Sequence, residues 1–145
     1  MKSFRFAIIS FFILFGLLVL AGSSSVEASD YLGEFCWESA KGWLIRIALT
    51  HAGDGHYTVN GRVTENGHVQ AGHGNAEIVG SEVIMHLTSS GFDDTGIWTC
   101  VGTAVLDPAT LDGVLNSMGI YCDKITGDCE ISWNGQQALT HISCP

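Results

Sequence analysis

The sequence predicts an all-β fold, an antiparallel meander of eight to nine strands closed into a small barrel. Apolar and polar residues alternate along short segments, which is the period of a half-buried strand. Clusters of Gly, Asn and Asp separate these segments, and the chain has 18 glycines but only 2 prolines. Beyond residue 29, no window keeps a 3.6-residue apolar period over three turns, so no helix is expected there.

The N-terminus has the pattern of a cleaved secretory signal. Lys2 and Arg5 precede an apolar run over residues 6–21, and a small-x-small cleavage site ends at Ala28. We therefore expect residues 1–28 to be removed and residues 29–145 to form a single domain that is secreted or periplasmic. An uncleaved anchor is the alternative, but a membrane-spanning helix needs about 20 apolar residues and this run is shorter.

The charge of the chain argues against several classes of partner. Its formal net charge is −9 at pH 7, and loss of the signal would make the domain slightly more acidic. Nucleic acid and anionic membrane surfaces are therefore poor partners, and we expect no stable membrane insertion. A basic protein partner is compatible with this charge, although solubility outside the cytoplasm explains the acid excess more simply.

The first hairpin is the clearest local prediction. Apolar residues occupy the odd positions of residues 43–49 and 57–63, on either side of a Gly-Asp-Gly sequence at 53–55. Both sets share one face if a three-residue loop pairs Ala52 with His56.

Two further turns determine the register of the middle strands. A three-residue loop at 65–67 would place Val69 on the apolar face, whereas residues 79–82 are typical of a two-residue hairpin. The apolar residues are then odd-numbered before the first of these turns and even-numbered before the second. The sequence therefore predicts a one-residue register slip between them, with a β-bulge at residues 72–75.

The second half of the chain contains two more turn signals. A Pro-led turn at 106–111 separates two strands, and Trp133-Asn134-Gly135-Gln136 is a strong hairpin pattern before a final strand near 138–144. Residues 97–106 have apolar side chains at both even and odd positions, so the pattern does not decide which face of that strand points inward.

All five cysteines lie in the predicted mature domain, where export favours disulfides. Closure of a meander sets its first and last strands side by side, which would bring Cys36 near Cys144. Cys122 and Cys129 lie at the two ends of a long loop and could form a disulfide across it. Cys100 would then be the unpaired thiol. Other connectivities stay open, because spacing alone does not decide between them.

A resemblance to a known group rests on Gly42-Trp43, at the start of the first long strand. The pair looks like the Gly-x-Trp region of lipocalins without the intervening residue. With the meander, the chain size and the export signal, the chain is similar to the lipocalin and avidin group of small ligand-binding barrels. The resemblance implies a ligand inside the barrel and Trp43 at the closed end, away from that ligand.

A second resemblance implies an alternative fold, an immunoglobulin-like β-sandwich. The segment from Asp94 to Cys100 looks like the Asp-x-Gly-x-Tyr-x-Cys motif of such domains, with Trp98 in place of Tyr, and it implies a Cys36–Cys100 bridge. Too few mature residues precede Cys36, and too many follow Cys100, for the usual arrangement of strands.

Aromatic and histidine side chains are the candidate ligand-binding residues. Four aromatic residues could line a pocket, with core packing as the alternative: Trp43, Phe92, Trp98 and Tyr121. His51, Tyr57 and His73 would form a small polar group at one barrel mouth if the predicted bulge turns His73 inward. Room for a ligand would come from small residues in the later strands: Gly102, Ala104, Gly113, Ser117 and Gly119.

The sequence contains no pattern that predicts a catalytic, cofactor or metal site. No nucleophile stands in an elbow context, no Gly-rich loop is placed to hold phosphate, and the six histidines lack metal-ligand spacing, so we expect no enzyme, no cofactor and no metal. The sequence thus predicts an exported binding protein that holds a small apolar ligand in a β-barrel. The alternative is a protein-binding module such as an enzyme inhibitor or a surface adhesin.

Overall fold

A computed structural model describes residues 30–145, so the predicted signal segment lies outside the described residues. The described chain is a meander of eight antiparallel strands closed into a barrel, which confirms the predicted fold class over the two-sheet sandwich. Within residues 30–145, no helix is long and apolar enough to cross a membrane. The strands are β1 (Asp30–Ser39), β2 (Leu44–Gly53), β3 (His56–Glu65), β4 (His68–Val79), β5 (Glu82–Phe92), β6 (Gly96–Leu106), β7 (Gly113–Asp123) and β8 (Cys129–Ile142).

The β2–β3 hairpin has the predicted register but a different turn. Asp54 and Gly55 form the turn with φ values of 50° and 76°, as a type I′ turn requires. The predicted Ala52–His56 pair does not form, because the register shifts by one residue between His51 and Gly53. This bulge absorbs the extra residue, so the apolar residues of both strands still share the inner face.

The predicted three-residue loop at 65–67 is wrong. Asn66 and Gly67 form a two-residue turn with φ values of 49° and 83°, since Asn-Gly suits the two left-handed positions of a type I′ turn. The shorter turn moves the inward positions from odd numbers in β3 to even numbers in β4. Gln70 is therefore buried inside the barrel, and Val69 is exposed on the outside.

The bulge predicted at residues 72–75 is also wrong. Because parity already changes at the preceding turn, β4 pairs with β3 and with β5 without interruption. His73 consequently stays exposed on the outer face. The two-residue turn at Gly80-Ser81 and the Pro-led turn after Leu106 form as predicted.

The hairpin predicted at Asn134-Gly135 is wrong, which reduces the strand count to eight. Both residues lie within β8 and pair with β7. Gly135 faces inward, and the Trp133 ring lies 3.1 Å from the position that a Cβ on Gly135 would take. Glycine at this position therefore makes room for an indole. The turn between β7 and β8 is instead the loop bracketed by Cys122 and Cys129.

The barrel closes between β1 and β8 over a short seam. Four residue pairs, over residues 36–39 of β1, join these strands, whereas β6 and β7 share eleven. Cys36 lies at the end of the seam, is completely buried, and forms a disulfide with Cys144 just beyond β8. A covalent bond thus reinforces the shortest ladder of the barrel.

The second predicted disulfide, Cys122–Cys129, is also present, and Cys100 is the free cysteine among the described residues. The Cys36–Cys100 bridge implied by the immunoglobulin resemblance does not form, because Cys36 is bonded to Cys144. Two disulfides indicate that the protein folds in an oxidising environment.

One end of the barrel is filled by apolar side chains. Trp37, Met85 and Leu106 are among the buried residues of this core, which lies toward the β6–β7 turn. Trp37 Nε1 donates a hydrogen bond of 2.7 Å to the Leu111 carbonyl, which ties β1 to that turn. Trp37 therefore plugs this end, and the expectation that Trp43 would do so is wrong.

The two disulfides are expected to contribute unequally to stability. The Cys36–Cys144 bond joins residues 108 apart in sequence and the Cys122–Cys129 bond joins residues 7 apart. On loop-closure entropy, replacing both cysteines of the long-range pair by Ala lowers the free energy of unfolding by about 4 to 5 kcal/mol, against about 2 kcal/mol for the short-range pair. Urea unfolding of the two double variants measures the difference, and equal losses would contradict the role given to the seam.

Candidate functional site

The other half of the barrel is hollow. A cavity of about 260 Å³ lies inside it and extends to the β3–β4 turn, where Asn66 and His68 are exposed to solvent. The cavity is lined mainly by apolar side chains contributed by strands on all sides. These include Trp43, Ile47, Val63, Leu87, Trp98 and Trp133.

Glycines and small residues keep this half open. A Cβ on Gly72 would make only ordinary van der Waals contacts, the nearest at 3.7 Å from the Gly61 carbonyl oxygen, so a side chain could be accommodated there. Gly102, Ser117 and Gly119, three members of the predicted small-residue strip, also line the cavity. Ala104, a fourth member, is completely buried in the apolar core.

Two buried polar residues face the cavity from neighbouring strands. Gln70 and Ser89 are 8% and 6% exposed, and the Ser89 hydroxyl donates a 2.8 Å hydrogen bond to Gln70 Oε1. Sequence reasoning missed Gln70, because the predicted loop at 65–67 placed even-numbered residues of β4 outside. The signal that would have found it is the Asn66-Gly67 dipeptide, which favours a two-residue turn.

Trp133 is held in the cavity wall by three neighbours. Its Nε1 donates a 2.9 Å hydrogen bond to Ser117 Oγ, and Trp43 packs edge-on against it with ring centroids 6.2 Å apart. Lys41 Nζ lies 3.3 Å from the centroid of the Trp133 ring, a cation–π contact. These contacts close the wall where β8 extends beyond the short seam with β1.

Cys100 contributes an uncharged thiol to the cavity. Burial raises the pKa of the Cys100 thiol, an effect that the nearby Glu65 carboxylate reinforces and a hydrogen bond with Ser117 partly opposes. The thiol is therefore protonated at neutral pH. The deep lining of the cavity is accordingly neutral, and the charged side chains near it, such as Glu65, belong to the rim.

An aromatic stack forms the rim beside the β5–β6 turn. The Trp98 ring lies between the rings of His68 and Tyr121, at centroid distances of 5.2 and 5.3 Å. Tyr121 is anchored by its hydroxyl, which donates a 3.0 Å hydrogen bond to the Thr95 carbonyl. The Thr95 hydroxyl also donates to Asp93, which lowers the pKa of that carboxyl, and Asp93 Oδ2 lies 3.4 Å from His68 Nδ1.

The structure separates the predicted ligand-binding residues. Trp43 lines the cavity, whereas Phe92 is exposed outside it. Trp98 lines the cavity, and Tyr121 supports its ring without lining the cavity itself. His51 and Tyr57 pack against each other at the β2–β3 turn, at the opposite end of the barrel, with ring centroids 5.3 Å apart. His73 is on the outer face, so that it cannot join them as the predicted polar group.

Among residues 30–145, no three His, Cys, Asp or Glu side chains come together as a group that could hold a metal ion. Comparison with protein-family models, curated proteins and solved structures finds no match to this chain. The cavity and its lining are therefore the features from which a function can be argued.

Replacing Gln137 by Leu is expected to stabilise the protein. Gln137 is 5% exposed, and neither its Nε2 nor its Oε1 has a hydrogen-bond partner among the described residues. Removing this amide relieves a desolvation cost of about 1 to 3 kcal/mol, which urea unfolding would detect as a higher free energy of unfolding. The exposed neighbour Gln136 is the control, because Gln136→Leu should change stability by no more than about 0.5 kcal/mol. A destabilised Gln137→Leu variant would contradict this account of the buried amide.

Proposed function

We propose that this protein is an exported, non-enzymatic binding protein that holds a small apolar ligand inside its β-barrel. The observation that carries the proposal is the mainly apolar cavity of about 260 Å³. A dry apolar cavity of about 150 Å³ is large enough for benzene, so this one suits a ligand of about two fused rings. Ligand pockets commonly combine such an apolar lining with a few placed polar groups, as Gln70 and Ser89 are here.

Export is supported by two independent features. The N-terminal segment has the basic, apolar and small-x-small regions of a secretory signal. The two disulfides fit a secreted or periplasmic protein, since such bonds persist in oxidising compartments.

Binding without chemistry fits the state of the one thiol in the cavity. The raised pKa of Cys100 keeps its sulfur protonated and therefore weakly nucleophilic. The hydroxyl of Ser89 is engaged by Gln70, and the hydroxyl oxygen of Ser117 is engaged by the Trp133 indole.

An exposed apolar surface favours the second candidate, a protein-binding module. Phe92, the last residue of β5, is 84% exposed, and Ile125 in the β7–β8 loop is 91% exposed. A 2.9 Å hydrogen bond from the Lys124 amide to the Thr95 carbonyl joins the β7–β8 loop to the β5–β6 turn at the cavity end of the barrel. Asp93 follows Phe92, and Asp123 ends β7, which suits a basic partner with an apolar contact.

Filling the cavity is expected to abolish ligand binding. We choose Gly72→Leu, because Gly72 lines the cavity and a Cβ there makes no contact shorter than 3.7 Å, so that the new side chain would extend into the cavity. The control is Ala71→Leu, because Ala71 is exposed on the outer face of the same strand. The probe is 1-fluoronaphthalene, titrated by fluorine NMR. The wild type and Ala71→Leu should bind it equally, and Gly72→Leu should bind it at least about tenfold more weakly.

Circular dichroism of the three proteins shows whether each is folded. Failure of the folded wild type to bind the probe, or equal binding by Gly72→Leu, would overturn the proposal of an internal ligand and leave the exposed surface at Phe92 and Ile125 as the better candidate site.

A further inference from the structure

Gln70 is a hydrogen-bond donor facing a mainly apolar cavity. Its Oε1 accepts the Ser89 hydroxyl proton at 2.8 Å, which leaves the two N–H groups of Nε2 as its remaining polar atoms. Both residues line the cavity and are more than nine-tenths buried. Among the described residues, the fully buried side-chain N and O atoms without a hydrogen-bond partner are both in Gln137. Gln70 Nε2 therefore borders accessible space in the cavity, where an acceptor on a ligand can reach it.

The other buried polar side chains that line the cavity, Ser89 and Ser117, already have partners. Ser117 Oγ accepts a hydrogen bond from Trp133 Nε1, and Ser89 donates its proton to Gln70. The Cys100 thiol is a weak donor and is directed at the Val101 carbonyl, at 3.9 Å. Gln70 Nε2 is therefore the strong donor that these side chains leave for a ligand.

The deep lining also restricts the charge of a ligand. Its polar groups are amides, hydroxyls and a protonated thiol, and a charge buried among them without an ionised partner would be costly. Arg62, Glu65 and His68 also border the cavity, but at positions that solvent reaches.

We propose that the ligand is a neutral compound of about two fused rings that carries a carbonyl-type acceptor, and that Gln70 Nε2 binds this acceptor. The inference rests on the proposed function, because it assigns the chemistry of a ligand in the same cavity. The rings fill the space between Leu115, Trp133 and Gly72, and the carbonyl is directed at β4.

The test compares two probes of the same size, 6-fluorocoumarin, which has a carbonyl, and 1-fluoronaphthalene, which has none. Fluorine NMR titrations give their dissociation constants with the wild type and with Gln70→Leu. We expect Gln70→Leu to weaken coumarin binding about fivefold relative to naphthalene binding, since it removes one hydrogen bond. Retained naphthalene binding shows that the variant is folded and its cavity intact.

Gln137→Leu is the matched control, because Gln137 is another buried glutamine of the barrel interior but does not line the cavity. It should leave the ratio of the two dissociation constants unchanged. An unchanged ratio in Gln70→Leu, or an equal change in Gln137→Leu, would overturn the role of Gln70 while leaving the proposed function standing. Failure of both probes to bind the wild type would overturn the proposed function itself.

A third probe tests the orientation of the amide. If Gln70→Leu weakens 5-fluoroindole, an N–H donor, while leaving coumarin binding unchanged, then Oε1 faces the cavity and a ligand with an acceptor is the wrong class. Weakening of coumarin alone supports the proposal.

Discussion

The two-residue turn at Asn66-Gly67 determines which side chains of β4 enter the barrel. Successive residues of a strand point to opposite faces, so one residue more or less in this turn would exchange every inward residue of β4 for an outward one. The turn that forms puts Gln70 and Gly72 inside and leaves His73 outside. An amide donor and a glycine thereby face the cavity, and both the proposed function and the proposed ligand class depend on this register.

The barrel interior is packed with side chains at one end and contains the cavity at the other. Trp37 and its hydrogen bond to the Leu111 carbonyl seal the filled end, where the apolar core is continuous. The Cys36–Cys144 bond secures the four-pair seam beside it. The buried core extends from this end to the cavity wall, where it includes Trp43 and Leu115. Glycines can therefore leave a cavity beside the core without unfolding the barrel, as binding sites commonly trade packing for function.

The sequence predicted closure well, because closure follows from the number of short strands and the lack of crossovers. The Cys36–Cys144 pairing followed directly from it. Predictions failed where one residue type has two uses: Gly135 follows Asn134 as in a turn but accommodates the Trp133 ring, which no local pattern reveals. Local sequence patterns also could not predict the cavity. The small residues Gly102 and Ser117 could be recognised in the sequence, but whether facing side chains would fill the space depends on pairing across strands.

The proposed ligand binding depends most directly on the cavity inside the barrel. Xenon enters dry apolar cavities, so a crystal structure determined under xenon pressure would locate such a space without assuming a ligand. We predict xenon inside the barrel, in contact with Leu115 and Trp133 and next to Gly72. An interior without xenon, with the Trp43 and Trp133 rings moved together into the space, would contradict the account, because it would mean that the barrel is filled at both ends.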